Sequence, residues 1–381
     1  MRNWIAFVTW AAFVLAGAAG AGGCKKSTDI PVGVNLPLSD SLSAYGKATL
    51  EGIQWRAKQI NDAGGIHGRK IRLEVQDNRG KDTDTRSAFK KFTDVDGVVA
   101  VLGPITSTRS LAAKMDAQQA KTAMITPTAT NDLVTANSSY VFRACYNDSF
   151  QGREVARYAY ETGVRKAAVM IDRGSDYSKG VSASFTKAFE GAGGKVVAEE
   201  SYQGADKDFG AQLVRIKNAG AETIFLPAYP PNVQDIIRQA KVVGFPGRLC
   251  GSDGWDNSTV IEDSGENIEG CFYMAAYWPG EDRKMVRDFV QDMTAATGRT
   301  PGSFEALGYD AMLLLGQALQ KGLRREDVPD AMRSLKDVEA VTGTISITPG
   351  GDAVKSAVIL QVVKENGKHT SRLVKKIPAA N

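Results

Sequence analysis

The chain has 381 residues, of which 43% are hydrophobic and 24% are charged, an ordinary balance for a globular protein. At about 100–200 residues per domain, this length predicts two domains once a targeting segment is removed. The net charge is only +4 and no polybasic run occurs, so nucleic acid is not expected as a partner.

The N-terminus has the layout of a secretory signal peptide, with Arg2 before an uncharged apolar segment and a run of Ala and Gly. We predict a signal peptide at 1–23 and a tether at 24–28, hence a periplasmic or other extracytoplasmic protein. Cleavage after "AGA" and lipoprotein processing at "AGGC" both remain open. The second would leave Cys24 lipidated and tethered to a membrane. A retained membrane anchor is the alternative to cleavage.

From Asp29 onward, short apolar strands alternate with amphipathic helices. The first series has strands in "IPVGVNL", "KIRLEVQDN", "VVAVLGP" and "TAMI", and helical spacing of Leu50, Ile53, Ala57 and Ile60. The second has strands in "KAAVMID", "KVVAEES", "TIFLPAY" and "RLCGSDG". Such alternation predicts parallel sheets covered on both faces, and two series predict two doubly wound α/β lobes.

The C-terminal third is less regular. It has a strand in "GCFYMAAYW", helices over about 281–296 and 303–321, and a last hairpin, "SAVILQVV" with "SRLVKKI". If this tail completed only the second lobe, that lobe would be much larger than the first. A chain that crosses back between the lobes is therefore expected.

Signals for catalysis are weak. His67 and His369 both lie in polar turns, and neither a G-x-S-x-G motif nor a zinc-type His or Cys spacing occurs. "GAGGKV" follows a helix where a phosphate loop would open one, and Val196 replaces the hydroxyl that would bind magnesium. We predict no enzyme activity, no cofactor and no metal site.

Three cysteines follow Cys24, so in an oxidising compartment at least one stays unpaired within the chain. Cys250 and Cys271 lie at predicted strand boundaries and are the candidate disulfide. Cys145, in "FRAC", is interpreted as a buried free thiol.

Ligands of open α/β sheets bind at the carboxyl ends of the strands. In the first lobe these ends carry Ser107, at a helix start, and Thr128, Ala129 and Thr130. Helix capping is the alternative role for such hydroxyls, but a helix N-terminus also suits a carboxylate. In the second lobe the ends carry other side chains: Tyr177, Tyr229, Asp253 and Trp255. Donors on one side and an anion on the other match an α-amino acid.

A set of segments, taken in the order in which they occur along the chain, resembles the substrate-binding proteins of branched-chain-amino-acid-type ABC transporters. Those proteins have the type I periplasmic binding protein fold. The segments are "AYGKATLEGIQWRAKQINDAGGIHGRKIRLEVQDN", "LGPITS", "TPTATND", "YVFRACYNDSFQG", "SDYSKG", "DFGAQLVRIK" and "CGSDGWD". The resemblance runs from about Asp29 to the C-terminus.

The resemblance implies two lobes joined by three hinge crossovers, near Asn147, Trp278 and Asp352, with the ligand cleft between the lobes. Lobe 1 would comprise 29–147 plus 279–352. Lobe 2 would comprise 148–278 plus 353–381.

The resemblance also implies roles in ligand binding. Ser107 and Thr130 would hold the ligand carboxylate, assisted by backbone groups near Thr128 and Ala129. Asp253 would pair with the ammonium. The side-chain pocket would be lined by Tyr45, Tyr177 and Tyr229. The family can carry a glutamate at the position of Asp253, so the shorter acid, with Trp255 filling space, could alter ligand choice.

The expected function is therefore capture of a small, branched-chain or other aliphatic amino acid outside the cytoplasmic membrane and its delivery to an ABC permease. A ligand sensor of the same fold, and a binder of an amide, urea or aromatic acid, are the alternatives. An enzyme on the same scaffold is disfavoured by the missing catalytic groups.

Overall fold

The computed structural model describes residues 29–379. The predicted signal peptide, the tether and Cys24 lie outside the described residues. Within 29–379 the helices are all too short or too polar to cross a membrane.

The first half of the chain builds a five-stranded parallel sheet in the order β2-β1-β3-β4-β5. Its strands are β1 (Ile30–Leu36), β2 (Ile71–Asp77), β3 (Ala100–Leu102), β4 (Ala123–Thr126) and β5 (Val141–Arg143), and its helices are α1 (Ser43–Asp62), α2 (Asp82–Lys91) and α3 (Ser107–Gln119). Every second residue of β1, from Ile30 to Leu36, is fully buried. Burial of each such side chain contributes roughly 1.5–3 kcal/mol, so the apolar pattern fixes this strand in the core.

The second sheet has seven strands in the order β15-β14-β10-β9-β8-β6-β7. Its parallel part comprises β6 (Lys166–Asp172), β7 (Lys195–Tyr202), β8 (Thr223–Phe225), β9 (Arg248–Gly251) and β10 (Phe272–Ala275), and the helices are α4 (Asp148–Glu161), α5 (Asp176–Gly191), α6 (Gly210–Asn218), α7 (Asn232–Val242) and α8 (Ser258–Asp263). The hairpin β14 (Ala357–Glu365) and β15 (Lys368–Ile377) joins the edge of β10 antiparallel.

Between β10 and β14 the chain returns to the first sheet. This return comprises α9 (Lys284–Thr297), α10 (Ser303–Leu319), α11 (Val328–Arg333) and a small sheet of β11 (Val338–Ala340), β12 (Gly343–Ile347) and β13 (Ala353–Val354). Residues of α10 and α11 share one hydrophobic core with β1 and α1. The described chain thus passes between the two sheets three times, and the predicted return is observed. The residue boundaries of the lobes stay a prediction.

Close packing of α10 on α1 depends on two glycines. A Cβ at Gly52 would lie 1.9 Å from the carbonyl oxygen of Glu305, and a Cβ at Gly308 would lie 2.2 Å from that of Thr49. Real Cβ atoms do not approach this closely, so the backbones meet only because these positions are glycine.

Some elements are shorter than the apolar runs that predicted them. The run "VVAVLGP" yields only three strand residues, Ala100–Leu102. The strand ends there because Gly103 adopts a left-handed φ of 96° and turns the chain toward α3.

The candidate disulfide between Cys250 and Cys271 is not formed, because both are free, buried thiols. Cys250 lies opposite Phe272 in the parallel pairing of β9 and β10, so Cys271 is one position out of register. Since successive side chains point to opposite faces of a sheet, the two thiols enter different hydrophobic clusters. Cys145 is also a buried free thiol, as expected from the sequence.

Candidate functional site

The five-stranded and the seven-stranded sheet, each with its helices, form two sheet units. These units are hydrogen-bonded to each other across a cleft. The amide of Asn131 donates to the carbonyl oxygen of Asp176 at 2.8 Å, and the backbone N–H of Asp176 donates to the hydroxyl of Thr108 at 3.1 Å. Both contacts join the strand ends of the first sheet to the start of α5. The cleft is therefore closed in this structure.

On the first side of the cleft, Ser107 is the first residue of α3 and is 1% exposed. Its Oγ accepts a hydrogen bond from the backbone N–H of Asn131 at 3.1 Å, which leaves its own proton free to be donated. Thr106, at the N-cap of α3, makes no side-chain capping bond and lines the cavity. The start of α3 therefore presents uncapped N–H groups and a partial positive charge.

The loop after β4 contributes three predicted residues in different ways. Thr128 lines the cavity, and its hydroxyl donates to the carbonyl oxygen of Ile105 at 2.7 Å. Thr130 is buried, with its hydroxyl against the Asp148 carboxyl. Ala129 donates its N–H to Thr126 and accepts from a guanidinium, so both of its backbone groups are engaged.

The guanidinium that holds this loop belongs to Arg143, which is fully buried. It donates to the carbonyl oxygens of Ala129 at 3.0 Å and Asn131 at 2.9 Å, and its Nε lies 2.7 Å from Asp352. This residue was not predicted from the sequence. The only signal was a cation within the apolar strand "YVFRAC", which predicts a buried pairing partner.

On the second side of the cleft, Asp253 begins the turn after β9 and lines the cavity. Its backbone N–H donates to Gln151 at 3.4 Å. Its Oδ1 is buried, and no described residue bonds it. Burial raises the pKa of Asp253 to about 7. A carboxylate held in this way would gain from a cationic partner.

A second carboxyl, Asp148, lies behind the first and was missed from the sequence. Gln151 joins the two, because its amide donates to Asp148 Oδ1 at 3.0 Å. Burial raises the pKa of Asp148 to about 8, against the lowering effect of hydrogen bonds from Thr130 and Gln151.

Aromatic rings form the remaining wall. Tyr45 packs edge-on against Phe304 at 4.2 Å and against Tyr229 at 6.0 Å between ring centroids. Tyr177 stacks on Tyr229 at 4.9 Å, and its hydroxyl accepts from the N–H of Gly254 at 3.0 Å. Tyr177 thus supports the wall and the Asp253 turn. Phe304 was not predicted, because it arrives from α10, far along the chain.

The structure thus places four predicted residues around one cavity: Tyr45, Thr128, Tyr229 and Asp253. The others, Ser107, Ala129, Thr130 and Tyr177, are not part of this lining. The cavity has a volume of only about 10 Å³, roughly what one water needs. An amino acid therefore enters only if the lobes separate or the wall moves.

A wider pocket of about 570 Å³ lies between the same units beyond Phe304. It is lined by α1, by Asp256 and the turn that follows it, by the start of α10 and by residues 369–371 of β15. It contacts neither Asp253 nor the hydroxyls of the β4 loop. We therefore place the candidate site in the smaller cavity, where the opposed polar groups meet.

Comparison with known proteins identifies the family of the chain. Residues 29–368 match the family model described as periplasmic binding protein. The chain belongs to this family. The resemblance inferred from the sequence motifs is therefore confirmed.

Individual members of the periplasmic binding protein family are similar over most of the chain. A Leu/Ile/Val-binding protein homolog of Brucella melitensis is 28% identical over 329 residues, covering 85% of this chain and 88% of that protein. The leucine binding protein LivK of Thermotoga maritima has a TM-score of 0.87 and 32% identity, covering 92% and 99%. LivJ of Streptococcus pneumoniae, solved with isoleucine, has a TM-score of 0.84 and 30% identity, covering 91% and 99%. The two-lobed α/β fold is thereby confirmed.

Proposed function

We propose that the chain is the extracytoplasmic substrate-binding component of an ABC transporter. It binds a small amino acid, branched-chain or otherwise aliphatic, between its lobes and delivers it to the permease. The observation that carries this proposal is the opposition of Asp253, with its unbonded buried oxygen, to the uncapped start of α3 at Thr106 and Ser107.

The α-carboxylate of the ligand would lie at the N-terminus of α3, where free N–H groups and the helix dipole favour an anion. Ser107 would add its hydroxyl proton, and Thr130 its buried hydroxyl. The ammonium would pair with Asp253, and Thr128 would accept a further hydrogen bond from it. This orientation satisfies both charged ends of the ligand.

The apolar side chain of the ligand would contact the rings of Tyr45, Tyr229 and Phe304. These rings give burial and shape but no charge. Such a wall favours an aliphatic side chain over an acidic or basic one, because an ion buried there would lack a partner.

Lobe closure completes the site. The bonds at Asn131 and Asp176 form only when the two units meet, so they stabilise the closed state that the ligand fills. The proposed lobes are 29–147 plus 279–352 and 148–278 plus 353–381. The closed surface would be the one that the permease recognises, and lipidated Cys24 would hold the protein at the membrane. In this role the chain makes and breaks no covalent bond.

A second candidate ligand class is an aromatic acid. The observation that favours it is the density of rings, with Tyr177, Tyr229, Tyr45 and Phe304 in contact. Because the pKa of Asp253 is about 7, that group could also donate a proton to a carboxylate. If the ligand is an aromatic acid, Asp253→Asn should keep the wild-type affinity for it.

The test is calorimetric titration of protein that has been unfolded, freed of carried-over ligand and refolded. The panel is the twenty amino acids, short amides and aromatic acids. We expect a dissociation constant in the micromolar range or below for one or a few aliphatic amino acids. Asp253→Asn should weaken it about 10- to 100-fold, since a charge-assisted hydrogen bond is worth about 1.5–3 kcal/mol.

The matched control is Asp263→Asn, which removes an exposed carboxylate at the end of α8. It should leave the affinity unchanged. Binding of an aromatic acid alone, unaffected by Asp253→Asn, would replace the amino acid with the second candidate. No detectable binding of any compound in the panel would contradict both candidate ligand classes.

A further inference from the structure

On the second sheet unit, a histidine and two glutamates lie together. Glu266 belongs to the short helical turn Gly265–Ile268 before β10, Glu269 follows that turn, and His369 lies near the start of β15. One potential ligand atom from each residue lies within 4.8 Å of the others. The two glutamates are close in sequence but His369 comes from the C-terminal hairpin, far along the chain, which is why motif spacing did not reveal the cluster.

His369 provides a second, independent observation. Its side chain is only 10% exposed, although it follows a hairpin turn whose other residues are exposed. Its Nε2 is buried and has no hydrogen-bond partner within residues 29–379. The nitrogen points at the cluster, because it lies 3.8 Å from Glu266 Oε2. A buried nitrogen without a partner is costly, and an ion is one of the partners that would satisfy it.

Lys364 orients one of the glutamates. It lies opposite His369 in the β14–β15 pairing and donates to Glu266 Oε1 at 2.7 Å. This bond fixes the orientation of the Glu266 carboxylate. It also leaves Oε2 on the side of the histidine. Hydrogen bonds of this kind hold the ligands of metal sites in place.

We propose that Glu266, Glu269 and His369 bind a divalent transition-metal ion, with zinc the best match. One imidazole and two carboxylates are ligands that zinc accepts, whereas calcium and magnesium prefer oxygen alone. Ligands at about 2.0–2.2 Å from zinc lie roughly 3–3.5 Å apart in a tetrahedron. The ligand atoms already lie within 4.8 Å of one another, so small rotations of the two exposed glutamates would bring them to that separation.

A metal bound there would fasten the turn before β10 to the C-terminal hairpin. It would stabilise the second sheet unit without contacting the amino-acid cavity, since none of the three ligands lines it. The proposal is thus independent of the proposed function. Its failure would leave amino-acid binding untouched, and the reverse also holds.

The experiment is calorimetric titration of zinc chloride into tag-free protein that has been treated with a chelator and dialysed at pH 7.5. We expect one zinc per chain, and at least a tenfold loss of affinity in both His369→Gln and Glu269→Gln. Glu365→Gln, an exposed carboxylate on the same hairpin, is the matched control and should bind like the wild type.

Thermal unfolding gives a second readout, because a ligand that binds only the folded state raises the melting temperature. Zinc should raise it for the wild type and for Glu365→Gln, and not for His369→Gln. Equal zinc binding by the wild type and His369→Gln, or no binding at 1 mM zinc, would overturn the proposal. Amino-acid affinity measured in parallel should be the same for all of these variants.

Discussion

The hydroxyl of Tyr45, on the first helix of one sheet unit, donates to the carbonyl oxygen of Gly254 in the other unit at 2.7 Å. Gly254 directly follows Asp253, the proposed ammonium partner. One hydrogen bond thus joins lobe closure to the position of the acid. Tyr45 is 1% exposed, so the bond is shielded from water.

Tyr45→Phe should weaken binding of the amino acid about 2- to 10-fold. The substitution keeps the ring against Phe304 and Tyr229 but removes one hydrogen bond, worth about 0.5–1.5 kcal/mol, from the closed state alone. Calorimetry of the refolded variant measures the change. Tyr160→Phe, on α4 outside the cavity lining, is the control. An affinity equal to the wild type would show that this bond contributes nothing to closure.

Amino-acid affinity should rise with pH between 5 and 7. Burial raises the pKa of Asp253 to about 7, and only the ionised form pairs with an ammonium. Below that pKa a proton must leave before the ligand binds, which costs up to about tenfold in affinity per pH unit. Asp148, with its pKa raised to about 8, stays protonated over this window and adds no slope.

The check is the same titration repeated at several pH values for the wild type and Asp253→Asn. The variant cannot titrate at this position, so its profile should be flat. A flat wild-type profile, or an equal slope in the variant, would assign the pH dependence to another group.

Lys355 lies where the connections between the sheets meet. It is buried and donates to the carbonyl oxygens of Ser356 at 2.9 Å and Ala276 at 3.4 Å, and it lies 5.3 Å from the centre of the Tyr146 ring. Burial lowers its pKa to about 8 from 10.5. Between these values the unfolded chain binds more protons, so Lys355 makes the free energy of unfolding rise with pH.

The full contribution of Lys355 to the free energy of unfolding between pH 8 and 10.5 is on the order of 3 kcal/mol. Denaturant unfolding at pH 7.5, 8.5 and 9.5 measures it as the difference in slope between the wild type and Lys355→Met. Other groups that titrate in this range cancel in the difference. Parallel pH profiles for the two proteins would mean that the lysine keeps an ordinary pKa.

Gly52→Ala should destabilise the fold by about 2 kcal/mol or more. The new Cβ would lie 1.9 Å from the carbonyl oxygen of Glu305, so α1 and α10 would have to separate. Gly191→Ala is the matched control, because a Cβ there meets nothing within 4 Å. It should be neutral or slightly stabilising. Denaturant midpoints compare the two variants, and equal midpoints would contradict the packing argument.

Much of the fold could be predicted because buried parallel strands appear as short apolar runs between amphipathic helices. The side chains at the carboxyl ends of those runs, such as Thr128 and Asp253, could be predicted for the same reason. Phe304, Asp148 and Gln151 could not, because they reach the site from helices whose packing no local pattern reveals. The disulfide prediction was wrong because strand register, which sets the face of Cys271, is not readable from spacing.

The most direct test of ammonium recognition by Asp253 compares the tightest-binding amino acid with two analogues, its amide and the acid that lacks the amino group. Each is titrated into the wild type and Asp253→Asn. We predict that the wild type loses at least tenfold in affinity for both analogues. Asp253→Asn should bind the amino acid and the des-amino acid about equally. A wild type that binds the des-amino acid as tightly as the amino acid would show that Asp253 does not recognise an ammonium.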